Sequence, residues 1–188
     1  MDELTAELAA SAWFESLRIQ VLNAADVEGY YAFGQGHVVL GTVLSAALKS
    51  LNPSIPEPAL DGVSRVVSHP PHPTLVQNNR GFHELLTDGV EVEYRDPKSD
   101  EMRGGRVWLV DFERPEKNDL LVVRQLTVAG TSGKIIRPDL TVFLNGLPVS
   151  VIELKDPSNT QADLNVAIDQ LDRYMQIVPD LFAPNLIL

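Results

Sequence analysis

Three side chains, Asp139, Glu153 and Lys155, interrupt an otherwise apolar stretch, RPDLTVFLNGLPVSVIELKDP, running from Arg137 to Pro157. Two β-branched runs meet at Asn145-Gly146, the dipeptide that most strongly favours a hairpin turn. On a strand, residues two apart share a face, so Glu153 and Lys155 project together with Val149 and Val151, while Ile152 and Leu154 fill the other face. With both faces apolar, the second run is predicted to be a central strand carrying a carboxylate and an ammonium into a covered site. Charges there need partners or a metal. The turn decides whether Asp139 joins them, because directly opposed residues share a face. A two-residue loop sets Asp139 opposite Ile152. A three-residue loop, Asn145-Gly146-Leu147 with Gly146 left-handed and a bulge, sets it opposite Glu153. The second is expected, since it gathers two carboxylates and one lysine. Such a set suits a divalent cation held by hard oxygens beside an attacking water. The plainer reading is an exposed strand end with a Glu–Lys surface pair. The proline before Asp139, the buried strand and the helix downstream favour the metal reading.

That helix is expected to start after Asp156-Pro157-Ser158-Asn159, with Thr160 and Asp163 spaced as an N-terminal cap. Leu164, Ile168, Leu171 and Met175 form its expected core stripe. Gln170 and Tyr174, one turn apart, lie along the edge of that stripe and can reach the same site from the side. The alternative is an ordinary amphipathic helix with a tyrosine at its margin.

Pro138-Asp139, then Glu153-Leu154-Lys155, then Gln170 and Tyr174 four apart resemble the PD-(D/E)xK nuclease core with its Q-x-x-x-Y addition. The surrounding phrases NPSIPEPAL, NNRGFHELLTDGVEVEY, LVVRQLTVAG and RPDLTVFLNGLPVSVIELK are similar to the N-terminal nuclease domain of type I restriction enzyme R (motor) subunits, from about residue 50 onward and more weakly before it. The resemblance implies Mg²⁺-dependent hydrolysis of DNA phosphodiesters. In that reading Asp139, Glu153 and the Leu154 carbonyl hold the metal, and Lys155 orients the water and stabilises developing charge. Gln170 and Tyr174 position the scissile strand or the site. The resemblance also makes Glu7 a candidate further acidic group near the metal, the alternative being a solvated helix glutamate. Cleavage would carry no sequence preference of its own. Methyltransferase and specificity subunits would choose the target, and ATP would serve only motor domains elsewhere in a longer polypeptide.

The elements that must position these groups can be read along the chain. Residues 2–17 form a predicted helix with Leu4, Leu8 and Ala12 on its buried side, followed by a short strand from Arg18 to Leu22. Gly29 to Gly36 is an aromatic, glycine-rich loop or irregular strand without the context of a dinucleotide loop. Helices are expected over Val38–Leu51, from Pro58 to about Val67, and over Thr74–Leu86, as a small satellite layer inserted before the sheet. His69 and His72 sit in a proline-fixed segment with no third ligand nearby. Further strands are expected over Val90–Tyr94, Arg106–Phe112, Leu120–Val128, Asp139–Leu144 and Val149–Lys155. Gln125 is read as an edge-strand polar residue, with the alternative that it points at the hairpin. Gly130 to Lys134 lacks the spacing and following helix of a phosphate loop. It is read as a mobile loop whose Lys134, with Arg137 and Arg173, can touch backbone phosphates.

The expected fold is therefore α/β: a mixed β-sheet flanked by helices, a restriction-endonuclease-like core at about 90–188, and a helical insertion at about 38–88, in one domain of 188 residues. A hydrophobic content of 44% with 22% charged residues is globular composition, and the absence of cysteine excludes a disulfide framework or zinc ribbon. No export signal or membrane-length apolar run is present, and a cytoplasmic location is expected. Net charge is −11, with 4 Lys/Arg against 12 Asp/Glu over residues 1–94 and 11 against 14 over residues 95–188. That balance argues against a free-standing nucleic-acid binder. The apolar ending PNLIL reads as a truncated C-terminus of a longer subunit. Two other readings are a stand-alone repair or resolvase-type nuclease and a non-catalytic docking module.

Overall fold

The computed structural model describes residues 3–30, 38–69, 71–155 and 164–186. The expected cap at Thr160 and Asp163, most of the glycine-rich loop and the last two residues of PNLIL lie outside them. The chain runs α1 (Glu3–Ser16), β1 (Gln20–Asn23), a 3-10 segment (Ala24–Tyr30), then α2 (Gly41–Leu51), α3 (Glu57–Ser68) and α4 (Leu75–Asp88). Next come β2 (Val90–Arg95), β3 (Met102–Val107), a short 3-10 turn (Pro115–Lys117), β4 (Leu120–Arg124), β5 (Val128–Ala129) and β6 (Ile135–Ile136). The hairpin β7 (Leu140–Leu144) and β8 (Leu147–Ile152), then α5 (Leu164–Ile177) and α6 (Pro179–Phe182), complete it.

The mixed sheet has four strands in the order β1-β4-β7-β8, with β1 parallel to β4 and the other pairs antiparallel. This is the expected α/β class, with different membership. The strand expected over Val90–Tyr94 is found as β2, but the one expected over Arg106–Phe112 is displaced toward the N-terminus as β3 and shares only Arg106 and Val107 with it. Among the described residues β2 and β3 pair only with each other, and the short strand after α1 takes their place in the sheet. The long strand expected over Leu120–Val128 breaks at Gln125, whose φ of 55° ends β4 and sends the chain into the small β5–β6 pair. Nor is β8 a central strand among the described residues. It has β7 on one side, and on the other a main-chain N–H of Leu186 donating to the Val149 carbonyl at 2.8 Å.

The hairpin reaches its register by a different route from the one expected. Leu144 pairs with Leu147, so the loop is two residues, Asn145 and Gly146, with φ of 51° and 82°. That pair of positive φ values is the type I′ geometry favoured between twisted strands. The bulge lies inside β8 instead: Val142 opposes Ser150 and Phe143 opposes Pro148, leaving Val149 as the extra residue. Pro148 has no N–H to give the ladder, which is why the irregularity falls beside it. Beyond the bulge the last pair is Leu140 with Ile152, so Asp139, Glu153 and Lys155 lie just past the ends of the strands expected to contain them.

The turn is sealed rather than solvated. Asn145 is fully buried; its amide donates to the carbonyl of Leu109 and to Asn118 Oδ1, and its Oδ1 accepts from the Asp119 main chain. Leu40, just before α2, donates its N–H to the Gly146 carbonyl at 2.9 Å. The helices expected as a satellite layer thus share the sheet's core: Leu44, Leu48, Leu60, Val63, Phe82 and Leu86 belong to one cluster with Val123, Phe143, Leu147 and Val151. Local signals set their ends. Thr74 caps α4 by accepting from the Gln77 N–H, and Pro58 lies in the first turn of α3. Among the described residues no helix is long and apolar enough to cross a membrane.

Candidate functional site

Antiparallel pairing of β4 with β7 brings the end of β4 beside the start of β7, and β8 returns alongside. Arg124 and Gln125, Asp139, and Glu153 therefore arrive at one end of the sheet. There α1 and α5 close a cleft of ≈ 490 Å³ lined by Leu4 and Glu7, by Arg124 and Gln125, by Arg137, Asp139 and Glu153, and by Gln170.

From α1 the cleft receives Glu7 beside Leu4, and from α5 it receives Gln170, which the sequence placed within reach of the site. In α1 the stripe expected to be buried is not: Leu4, although it lines the cleft, is 59% and Leu8 49% exposed, whereas Glu7 is 6% exposed and Ser11 is buried, its hydroxyl donating to the Glu7 carbonyl. Glu7 tolerates burial because both oxygens are satisfied. Arg124 Nε donates to Oε1 at 2.8 Å and Gln125 Nε2 to Oε2 at 2.7 Å. In α5, Leu164 and Ile168 are likewise exposed, while Ala167 is buried and Gln170, Leu171, Tyr174 and Met175 are partly so. Gln170 and Tyr174 are thus on the inward face, not at its margin.

Gln170 connects the groups of the Glu153-Leu154-Lys155 segment. Its Oε1 accepts from Lys155 Nζ at 2.8 Å, and its Nε2 donates to Glu153 Oε2 and to the Tyr174 hydroxyl, each at 2.8 Å. A carboxylate on one side and an ammonium on the other dictate which end of the amide is which. Glu153 and Lys155 also face each other directly at 3.7 Å, with side chains 1% and 20% exposed. Asp139 Oδ2 accepts from the Leu154 main-chain N–H at 2.7 Å. The hydroxyl of Tyr174 donates onward to the Arg137 carbonyl at 3.4 Å.

Burial, above all, raises the Tyr174 pKa from its ordinary 10.0, and the charges of Glu153 and Asp139 add to that. A raised pKa keeps the proton on the folded chain when the unfolded chain has begun to lose it. The resulting stabilisation is complete below pH 10.0 and is lost as pH rises through the higher folded value. The stability difference between wild type and Tyr174→Phe should therefore stay constant to about pH 10 and shrink above it. Urea midpoints measured from pH 8 upward test this, and a constant difference across the range would contradict it.

The sequence-named groups distribute plainly. Asp139, Glu153, Gln170, Arg137 and Glu7 line the cleft, and Lys155 and Tyr174 join through Gln170. Lys134, in the turn between β5 and β6, and Arg173, on α5, are exposed and enter no cleft contact among the described residues. Arg124 was missed, and Gln125 was read as a polar edge residue although its amide lies in the site. The pairing of β4 with β7 is the signal that would have found both. Among the described residues no three His, Asp or Glu side chains converge as a metal cluster. Of the carboxylates lining the cleft, Glu7 is engaged by Arg124 and Gln125. The remaining pair, Asp139 and Glu153, matches the one or two carboxylates that Mg²⁺ commonly takes from a protein, with waters and substrate oxygens completing its shell.

Residues 3–188 match the family described as type I restriction enzyme R protein N terminus. The chain is 38% identical over 159 residues to the type I restriction enzyme HindI endonuclease subunit of Haemophilus influenzae, covering 84% of this chain and 15% of that protein. It is 32% identical over 138 residues to a Methanocaldococcus jannaschii protein provisionally named type I restriction enzyme MjaIXP endonuclease subunit, covering 72% and 13%. The chain thus spans about one seventh of the length of these relatives.

Proposed function

The chain belongs to the family of type I restriction enzyme R protein N termini, and we propose that its cleft is a DNA nuclease centre that hydrolyses phosphodiester bonds with Mg²⁺. The observation that carries this reading is the Gln170 bridge. One amide holds Lys155 and Glu153 in fixed relation beside Asp139, and so orders an acceptor pair and a cation for chemistry at a phosphate.

The residues fit a hard divalent cation. Asp139 and Glu153 offer oxygen donors on one side of the sheet end, and the Leu154 carbonyl belongs to the same segment. Glu7 is committed to Arg124 and Gln125, and it serves as a ligand only if those contacts are exchanged. When bound, the metal would polarise a phosphoryl oxygen and lower the pKa of water. The chain's own groups do the rest. Lys155, oriented by Gln170, donates to the attacking water and to the charge building on the phosphoryl oxygens. Tyr174, kept protonated, holds Gln170 and the main chain at Arg137. Arg137, at the cleft wall, faces the backbone phosphates, with Lys134 and Arg173 as outer contacts.

In this reading target choice falls to separate specificity and methyltransferase subunits, and ATP use to other parts of a longer subunit. The chain's net charge of −11 repels duplex DNA at long range, and delivery of DNA by those parts is consistent with it. The test is plasmid cutting by an assembled enzyme carrying this domain. Cutting should require Mg²⁺ and disappear in Asp139→Asn while ATP hydrolysis persists. Undiminished cutting by Asp139→Asn would refute the site.

A further inference from the structure

Gln125 is the residue that the nuclease reading leaves unused, and three observations bear on it. Its backbone sits at φ 55°, a left-handed conformation that disfavours a side chain with a Cβ and that persists where the surroundings hold it. Its main-chain N–H donates to the carbonyl of Asp139 at 2.9 Å. Its side-chain Nε2 donates to Glu7 Oε2 at 2.7 Å and makes a longer contact, 3.4 Å, to Asp139 Oδ1. Both neighbours of that nitrogen are carboxylates, so the amide can face them only with its two N–H groups.

We propose that Gln125 is a positioning residue for Asp139, gripping it by main chain and side chain together, with the Arg124–Glu7 pair anchoring the amide. The proposal rests on the reading of Asp139 as a metal ligand and deepens it. The arrangement parallels the other carboxylate. Gln170 holds Glu153 with one amide, from α5, and Gln125 holds Asp139 with another, from the end of β4. Between Gln125 and the Leu154 N–H, both oxygens of Asp139 are engaged, which leaves the carboxylate one orientation toward the cleft. The left-handed turn makes this possible, because it ends β4 beside Asp139 and turns the next side chain toward α1.

Two variants separate positioning from backbone shape. Gln125→Gly relieves the left-handed conformation and removes the amide; Gln125→Met keeps length and conformation and removes only the donors. The 188-residue chain is titrated with Mn²⁺, and bound metal is followed by electron paramagnetic resonance, with circular dichroism as the check of folding. Both variants should keep the wild-type fold and bind Mn²⁺ about 10–100-fold more weakly, the usual effect of removing a partner that orients a ligand. In an assembled enzyme, excess Mn²⁺ should restore much of the cutting, which a merely structural defect would not allow. Wild-type affinity in Gln125→Met overturns the proposal. If the unmodified chain binds no Mn²⁺, the metal reading itself fails, and the positioning role goes with it.

Discussion

Replacing Lys155 with alanine is expected to slow DNA cutting by about 10²–10³-fold, the usual effect of deleting one donor to developing negative charge, while leaving ATP hydrolysis by the assembled enzyme unchanged. The effect should be large because Lys155 is held in place. Its ammonium is fixed 2.8 Å from Gln170 Oε1 and 3.7 Å from Glu153, in a site where its side chain is 20% exposed. A cation already oriented needs no reorganisation when charge appears on the phosphoryl group. Folding should survive, since Glu153 keeps the Gln170 amide as donor. Single-turnover cleavage with parallel ATPase measurements separates the two outcomes. Cutting within a fewfold of wild type would make Lys155 only a structural ion-pair partner.

The second large effect is on stability. Gly146→Ala should destabilise the chain by about 2–5 kcal/mol, combining a left-handed penalty with overpacking. Gly146 lies at φ 82°, and an added Cβ would stand 2.6 Å from the Leu40 carbonyl oxygen and 2.7 Å from the Leu44 nitrogen. Both are backbone atoms at the start of α2, so no side chain can rotate away. The turn would have to lift from α2 and break the Leu40 N–H bond to the Gly146 carbonyl. Equilibrium urea unfolding gives the difference, and a loss below roughly 1 kcal/mol, the ordinary average for a substitution, would show that the turn and α2 are less tightly joined.

The hairpin, its Asn-Gly turn and the arrival of Asp139 and Glu153 in one cleft were legible in the sequence, because apolar alternation and turn chemistry are local signals. The route to the hairpin's register was not. Pro148 could have announced a bulge in β8, but a three-residue loop gives the same register beyond it, and only the paired strands distinguish them. The buried face of α1 was misread, because polar demand there outweighed apolar periodicity; in α5 Leu171 and Met175 pack on the core as expected, whereas Leu164 and Ile168 are exposed. Glu7 is buried because Arg124, distant in sequence, neutralises it, and Gln170 faces inward because Lys155 and Glu153 require both ends of its amide. The break at Gln125 carries no sequence mark, since neither glycine nor asparagine occupies the left-handed position. The alternating burial of β2 fits a strand in any sheet, so its pairing with β3 alone could not be read locally.

The most direct test of the account is whether Asp139 and Glu153 together hold a divalent cation. Mn²⁺ titration of the 188-residue chain, read by electron paramagnetic resonance, should show a bound ion in the wild type. The double variant Asp139→Asn, Glu153→Gln keeps the shape of both side chains and removes both charges, so it should lose that ion. Bound Mn²⁺ in the double variant at wild-type affinity would place the metal elsewhere and contradict the assignment of this cleft.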